Sequence, residues 1–260
     1  MAVRPAHRRA VAVTCGVVAS VVASTGHADE VQTWNDNLAQ AVISRPHTVA
    51  EIEIGAIVLP EAPVSSAHRG GNLPIGLHIG EGDATIQLGM HLLYRGGAKW
   101  AIGASALFAP SPTSDSGYGI GGSSGLDRSH SRDYFFVGGE ARYIPLHYRL
   151  FEGWLGAQAG AVVIADRFTT NNSGAYTAVA LSDTGGYPVV NERTEGFSMG
   201  LQAGISYSFS DSFVVGFVLR SNVWLLPKTP SCDAIGDCAT LNTTTAVFEG
   251  AFLFGYRLPL

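Results

Sequence analysis

The stretch 245–260 constrains the fold more than any other part of the chain. Phe248, Phe252, Phe254, Tyr256 and Leu258 fall on one parity, and Glu249, Ala251, Gly255 and Arg257 on the other. Successive side chains of a strand point to opposite faces, so this strand has an aromatic face and a small or charged face. The first face is too apolar for open water and the second too polar for lipid. A closed barrel wall reconciles them, with lipid outside and a packed polar lumen inside.

Composition agrees with that reading. Only 14% of the 260 residues are charged and 46% are apolar, against about 25% charged in an average soluble domain. No stretch after the leader holds the run of about 18 apolar residues that a membrane-spanning helix needs. The apolarity is instead distributed over alternating segments.

Residues 1–28 read as a secretory signal peptide. Arg4, His7, Arg8 and Arg9 form a basic start, residues 10–23 an apolar middle, and Gly26 and Ala28 supply small residues before a cut at Asp29. Too little apolar sequence precedes Cys15 for a lipoprotein site. Removing the leader takes away three arginines and no acid, leaving 13 basic and 21 acidic residues, a net charge of −8 with neutral histidines. That charge argues against nucleic acid as a partner. Two cysteines remain, Cys232 and Cys238, six residues apart in a polar stretch. In an exported protein they read as a local disulfide, and no further cysteine or nearby histidine completes a metal site.

In residues 29–49, Val31, Trp34, Leu38 and Val42 recur at helical spacing. A short amphipathic helix is expected there, ended near Pro46, in a periplasmic segment ahead of the barrel. The barrel domain is expected over 50–260, with strands of about ten residues at 50–59, 84–94, 100–108, 133–144, 154–165, 196–209, 213–226 and 245–260. Ten residues suffice to cross a bilayer at a tilt. Outward positions include Ile52 and Ile54, Leu88 and Met90, Leu155 and Ala157, and the run Phe197, Met199, Leu201, Ala203, Ile205, Tyr207 and Phe209. The connections alternate long and short. A soluble sandwich has no reason to segregate loop lengths, whereas a transmembrane barrel places short turns at one end and long loops at the other. Aromatics are expected to form two interfacial girdles: Tyr94, Trp100, Tyr143, Trp154, Tyr207, Phe213 and Tyr256 beside short turns, and Phe108, Tyr134, Phe135, Phe168, Phe197, Trp224 and Phe248 beside long loops.

With these features the chain resembles the small outer-membrane β-barrel family, the OmpA-like and OmpW-like eight-stranded proteins of Gram-negative bacteria. The resemblance covers residues 50–260. Its most specific local match is the C-terminal assembly signal, Gly-x-x-apolar-x-apolar, which stands here as Gly255, Leu258 and Leu260. This chain departs from the commonest form in ending on Leu and in carrying Pro259. The resemblance implies an all-β, antiparallel, up-and-down transmembrane barrel in the outer membrane, with outer-membrane lipid and the barrel-insertion machinery as partners. An external ligand or surface partner is left open.

Two strings imitate catalytic motifs. Residues 117–122 match a dinucleotide fingerprint and 121–125 a nucleophile elbow, but both sit in a Ser/Gly-rich loop without the strand and helix those motifs require. No Ser–His pair appears on the outward parity, so a lipid-modifying barrel enzyme is weakly supported. No catalytic residue, cofactor or metal is implied. The candidate site is the inward set Glu53, His91, Glu140, Arg142, Arg220, Glu249 and Arg257, joined by Glu51, Gln87, Gln158, Gln202 and Asn222. Charges in a narrow lumen need partners, so paired networks are expected. Two uses follow: a polar plug that rigidifies the wall, or a narrow gated pore for small solutes. The plug, in a non-enzymatic surface protein, is the expected role.

Overall fold

Alternation of apolar and small or polar residues gives long antiparallel strands that close on themselves. The computed structural model describes residues 45–63, 67–69, 73–75, 81–111, 127–171, 189–229, 241 and 243–259. Eight strands form the barrel: β1 (His47–Pro63), β4 (Glu81–Arg95), β5 (Trp100–Ser111), β6 (Asp127–Tyr148), β7 (Phe151–Asn171), β8 (Val189–Ser208), β9 (Phe213–Leu225) and β10 (Thr244–Pro259). A two-stranded ribbon, β2 (Ala67–Arg69) with β3 (Leu73–Ile75), lies in the β1–β4 connection. Each barrel strand pairs with its sequence neighbour, and β1 closes the wall on β10 from His47↔Pro259 to Val58↔Phe248. The fold is therefore the expected all-β, eight-stranded, antiparallel up-and-down barrel.

Outward residues form a continuous apolar belt. Met90 is 65% exposed, Leu201 71% and Phe252 61%. Monomeric soluble proteins rarely show an apolar surface of this extent; here it encircles a closed wall, as lipid requires. Aromatic contacts on this outer surface include Trp100 with Tyr143 and Phe213 with Tyr256. Both pairs lie at the end carrying the short connections, the turn end. There, Arg149 adopts a positive φ of 55° in the two-residue turn between β6 and β7, and Ser210 Oγ accepts from the amides of Ser212 and Phe213.

Several expectations need correction. The strands run from 12 to 22 residues, not about ten. Much of what reads as loop, including 127–132, 166–171 and 189–194, is wall. Beyond a bilayer both faces of a strand meet water, so its sequence loses the apolar parity and looks like loop. The expected link 145–153 is likewise mostly strand, with a register irregularity between Tyr143 and Leu146; Pro145 has no N–H for the ladder. Strand β1 begins at His47, just past the expected helix end at Pro46 and three residues before the expected start of the barrel at 50. Three girdle assignments fail: Trp154, Tyr134 and Trp224 are 4%, 2% and 2% exposed and point into the lumen. The signal peptide, nearly all of the 29–49 segment, Cys232, Cys238 and Leu260 lie outside the described residues, and so does the side chain of Phe168.

Candidate lumen site

The lumen is filled in layers. At the loop end an apolar collar joins Ile57, Leu59, Tyr134, Val162, Ile164 and Trp224 with neighbouring buried residues. Tyr134 donates through its hydroxyl to Asp83, and Arg132 Nε donates to Asp166 Oδ1 at 3.0 Å.

The middle layer is ionic. Arg220 on β9 reaches past β10 to grip Glu53 on β1 with both terminal nitrogens, at 2.9 and 2.6 Å. Its Nη1 also approaches Glu249 at 3.3 Å, and its Nε donates to Gln202 at 3.0 Å. Arg142 on β6 crosses to Glu51 on β1 at 3.1 and 2.7 Å and holds Glu140 at 3.0 Å. The Trp154 ring lies 4.3 Å from its guanidinium carbon, within cation–π range. His91 stands between two carboxylates, with Nε2 3.0 Å from Glu53 and Nδ1 3.2 Å from Glu140. Both contacts become hydrogen bonds only when both ring nitrogens carry a proton. Amides complete the set: Gln87 donates to Glu53 and Glu249, Asn222 to Glu249, Gln158 to Asn222 and Gln202 to Glu140. The network ties together seven of the eight barrel strands, all except β5.

Missing side chains make room for these residues. A Cβ on Gly89 would lie 2.4 Å from Glu53 Cγ, and one on Gly200 would lie 1.8 Å from Asn222 Oδ1. Either substitution would displace a member of the network.

The turn end carries a separate cluster. Arg95 grips Glu152 bidentately at 2.9 and 2.8 Å and also donates to the Gly97 and Ala98 carbonyls. Arg257 donates to Ser208 Oγ at 2.7 Å and lies 4.0 Å from Glu152. Hence Glu53, His91, Glu140, Arg142, Arg220 and Glu249 meet in one layer, whereas Arg257 belongs to the other cluster. Eight residues separate Arg257 from Glu249 on β10, roughly 26 Å along a strand. The inward set drawn from the sequence lacked Arg95, Glu152, Arg132 and Asp166. Arg95 shares parity with Gln87 and His91, and Glu152 with Gln158, so parity carried the signal for that pair.

Chemically, the middle layer is occupied with itself. His91 has both nitrogens engaged, and a small turn-end cavity of about 40 Å³ does not extend to it. Among the described residues no group of His, Cys, Asp and Glu is arranged to hold a metal.

No protein-family model matches this chain, and no curated protein matches it. Solved structures similar to it include the crystal structure of Neisserial surface protein A, at 14% identity, covering 82% of this chain and 97% of that one with a TM-score of 0.43. The attachment invasion locus protein Ail of Yersinia pestis, crystallised with the heparin analogue sucrose octasulfate, is also 14% identical, over 81% and 99% of the two chains, with a TM-score of 0.42. A major outer membrane protein from Thermus thermophilus is 12% identical over 81% and 99%, with a TM-score of 0.47.

Proposed function

We propose that this chain is a non-conducting outer-membrane barrel: a sealed, rigid wall that holds its loop-end connections outside the cell for ligand or partner binding. On this reading residues 1–28 direct export, and Gly255, Leu258 and Leu260 are the signal read at insertion. The turn end, with Pro259, then faces the periplasm. The observation that carries the proposal is the filled lumen. Side chains from seven strands meet across it in buried ion pairs and amide hydrogen bonds, beneath an apolar collar. An eight-stranded wall is only wide enough for side chains to fill. Opening a path would separate buried charges from their partners, which is strongly unfavourable.

Planar-bilayer recording of the purified, refolded protein tests this, with no reproducible channel steps expected. Steps that disappear in Arg142→Gln or Arg220→Gln variants would show that the lumen conducts. Incubation with labelled phospholipid or lipid A tests the non-enzymatic part, where any turnover would contradict it.

A further inference from the structure

The turn-end cavity has an uneven charge lining. Arg95, Arg142 and Arg257 border it, against Glu51 and Glu152. Two of the three guanidiniums have a carboxylate of their own: Arg142 holds Glu51 and Arg95 holds Glu152, each through two bonds. Arg257 has only a shared, longer one among the described residues. Glu152, its nearest acid, is 4.0 Å away and already clamped by Arg95, and the hydrogen-bond partner of Arg257 is a neutral hydroxyl. Its side chain is only 5% exposed. Asp211, on the adjoining turn, acts on it electrostatically without forming an ion pair. A buried guanidinium without its own counter-charge is costly. A second observation points to the same space: the Nε–H of Arg142, which borders the cavity, is buried and has no hydrogen-bond partner among the described residues.

We infer that this cavity is a binding site for one small monovalent anion of halide size, held by Arg257 with Arg142 and Arg95. The volume sets the class. About 40 Å³ accommodates roughly three water-sized spheres, enough to enclose chloride or bromide. The charge sets the valence, since three guanidiniums on the lining share two carboxylates. Glu51 and Glu152 on the lining disfavour a second negative charge. The site lies beside the turns, within reach of small ions from the aqueous phase at that end. Its occupant would lock β10 to β4 and β6, adding an ion-specific component to barrel stability.

The experiment uses the full mature barrel, refolded in detergent. Urea unfolding is followed at fixed ionic strength with sodium chloride, sodium bromide or sodium gluconate, whose anion exceeds the cavity. Binding to the folded state alone raises stability by mass action. The wild type should therefore unfold at higher urea in the halides than in gluconate, while Arg257→Gln should unfold at the same urea in all three. Crystals of the wild type in bromide should show an anomalous peak between Arg257 and Arg95. Equal midpoints in the three salts for the wild type, or a halide effect undiminished in Arg257→Gln, would overturn the site. If Arg257→Gln does not fold, the wild-type salt comparison and the bromide peak decide, and absence of either refutes the inference. An acetate arm separates halide binding from general carboxylate binding; a midpoint in acetate above that in chloride would refute the halide assignment.

Discussion

Replacing Arg220 by Met tests the ionic layer at its hub. Methionine fills part of the arginine volume, so the change is mainly electrostatic. It removes two bonds to Glu53, one to Glu249 and one to Gln202. Removing one partner of a buried pair costs about 3–5 kcal/mol. Here Glu53 keeps His91 and Gln87, and Glu249 keeps Gln87 and Asn222, which places the loss near the lower bound, about 3 kcal/mol. That is roughly a hundredfold rise in the unfolded-to-folded ratio. Urea unfolding in lipid vesicles, read by tryptophan fluorescence, measures it, because Trp154 and Trp224 are buried in the lumen. A cycle with Glu53→Gln isolates the pair: the double variant should lose about 1–3 kcal/mol less than the two singles added together. Additivity within about 0.5 kcal/mol, or Arg220→Met as stable as the wild type, would refute the claim that these groups bear on each other across the lumen.

Three further outcomes are expected. Phe252→Arg, at an outward mid-belt position, should destabilise the barrel in vesicles by about 2–4 kcal/mol; an effect near zero in the same unfolding assay would mean that this surface does not face lipid. Gly204→Ala places a Cβ 2.3 Å from the Trp154 ring; it should cost about 1–3 kcal/mol and alter the Trp154 fluorescence as the ring leaves Arg142. His47 sits at the turn-end rim, beyond the apolar belt. Burial lowers its pKa below the ordinary 6.5, opposed by its bond to the Arg45 carbonyl and reinforced by Arg95 and Arg257. The unfolded chain therefore takes up this proton first, so the stability contributed by the neutral ring is present above pH 6.5 and lost as pH falls below it. A pH series of urea midpoints should show His47→Gln with a shallower acid decline than the wild type.

The wall was legible in the sequence wherever one face met lipid. The run from Phe197 to Phe209 and the stretch 245–260 state their parity plainly, and the structure keeps it. Past the membrane the same strands face water on both sides, so residues 127–132 and 189–194 carry no such alternation and read as loop. The misplaced aromatics teach a narrower lesson. Trp154 shares parity with Gln158, Trp224 with Arg220 and Asn222, and Tyr134 with Glu140. Their inward direction is encoded in that parity, which outweighs residue type at a strand end. Partner choice across the lumen was not encoded locally, although Arg142 also holds Glu140 two residues away. Arg142 finds Glu51 across 91 residues and Arg220 finds Glu53 across 167, and those meetings depend on the register with which the sheet closes. The aromatic-and-charged alternation of 245–260 told which residues face inward, while the β9–β10 register, which sets Glu249 opposite Arg220, decides that Glu249 joins Arg220 and Arg257 does not.

Heat-modifiable mobility tests the central claim most directly, since a closed barrel from the outer membrane resists dodecyl sulfate until it is boiled. Outer-membrane extracts are run with and without boiling and probed for this chain. A compact, faster band is expected before boiling, shifting to the mobility of the unfolded chain afterwards. Identical migration of the two samples, or recovery of the protein outside the outer-membrane fraction, would contradict it.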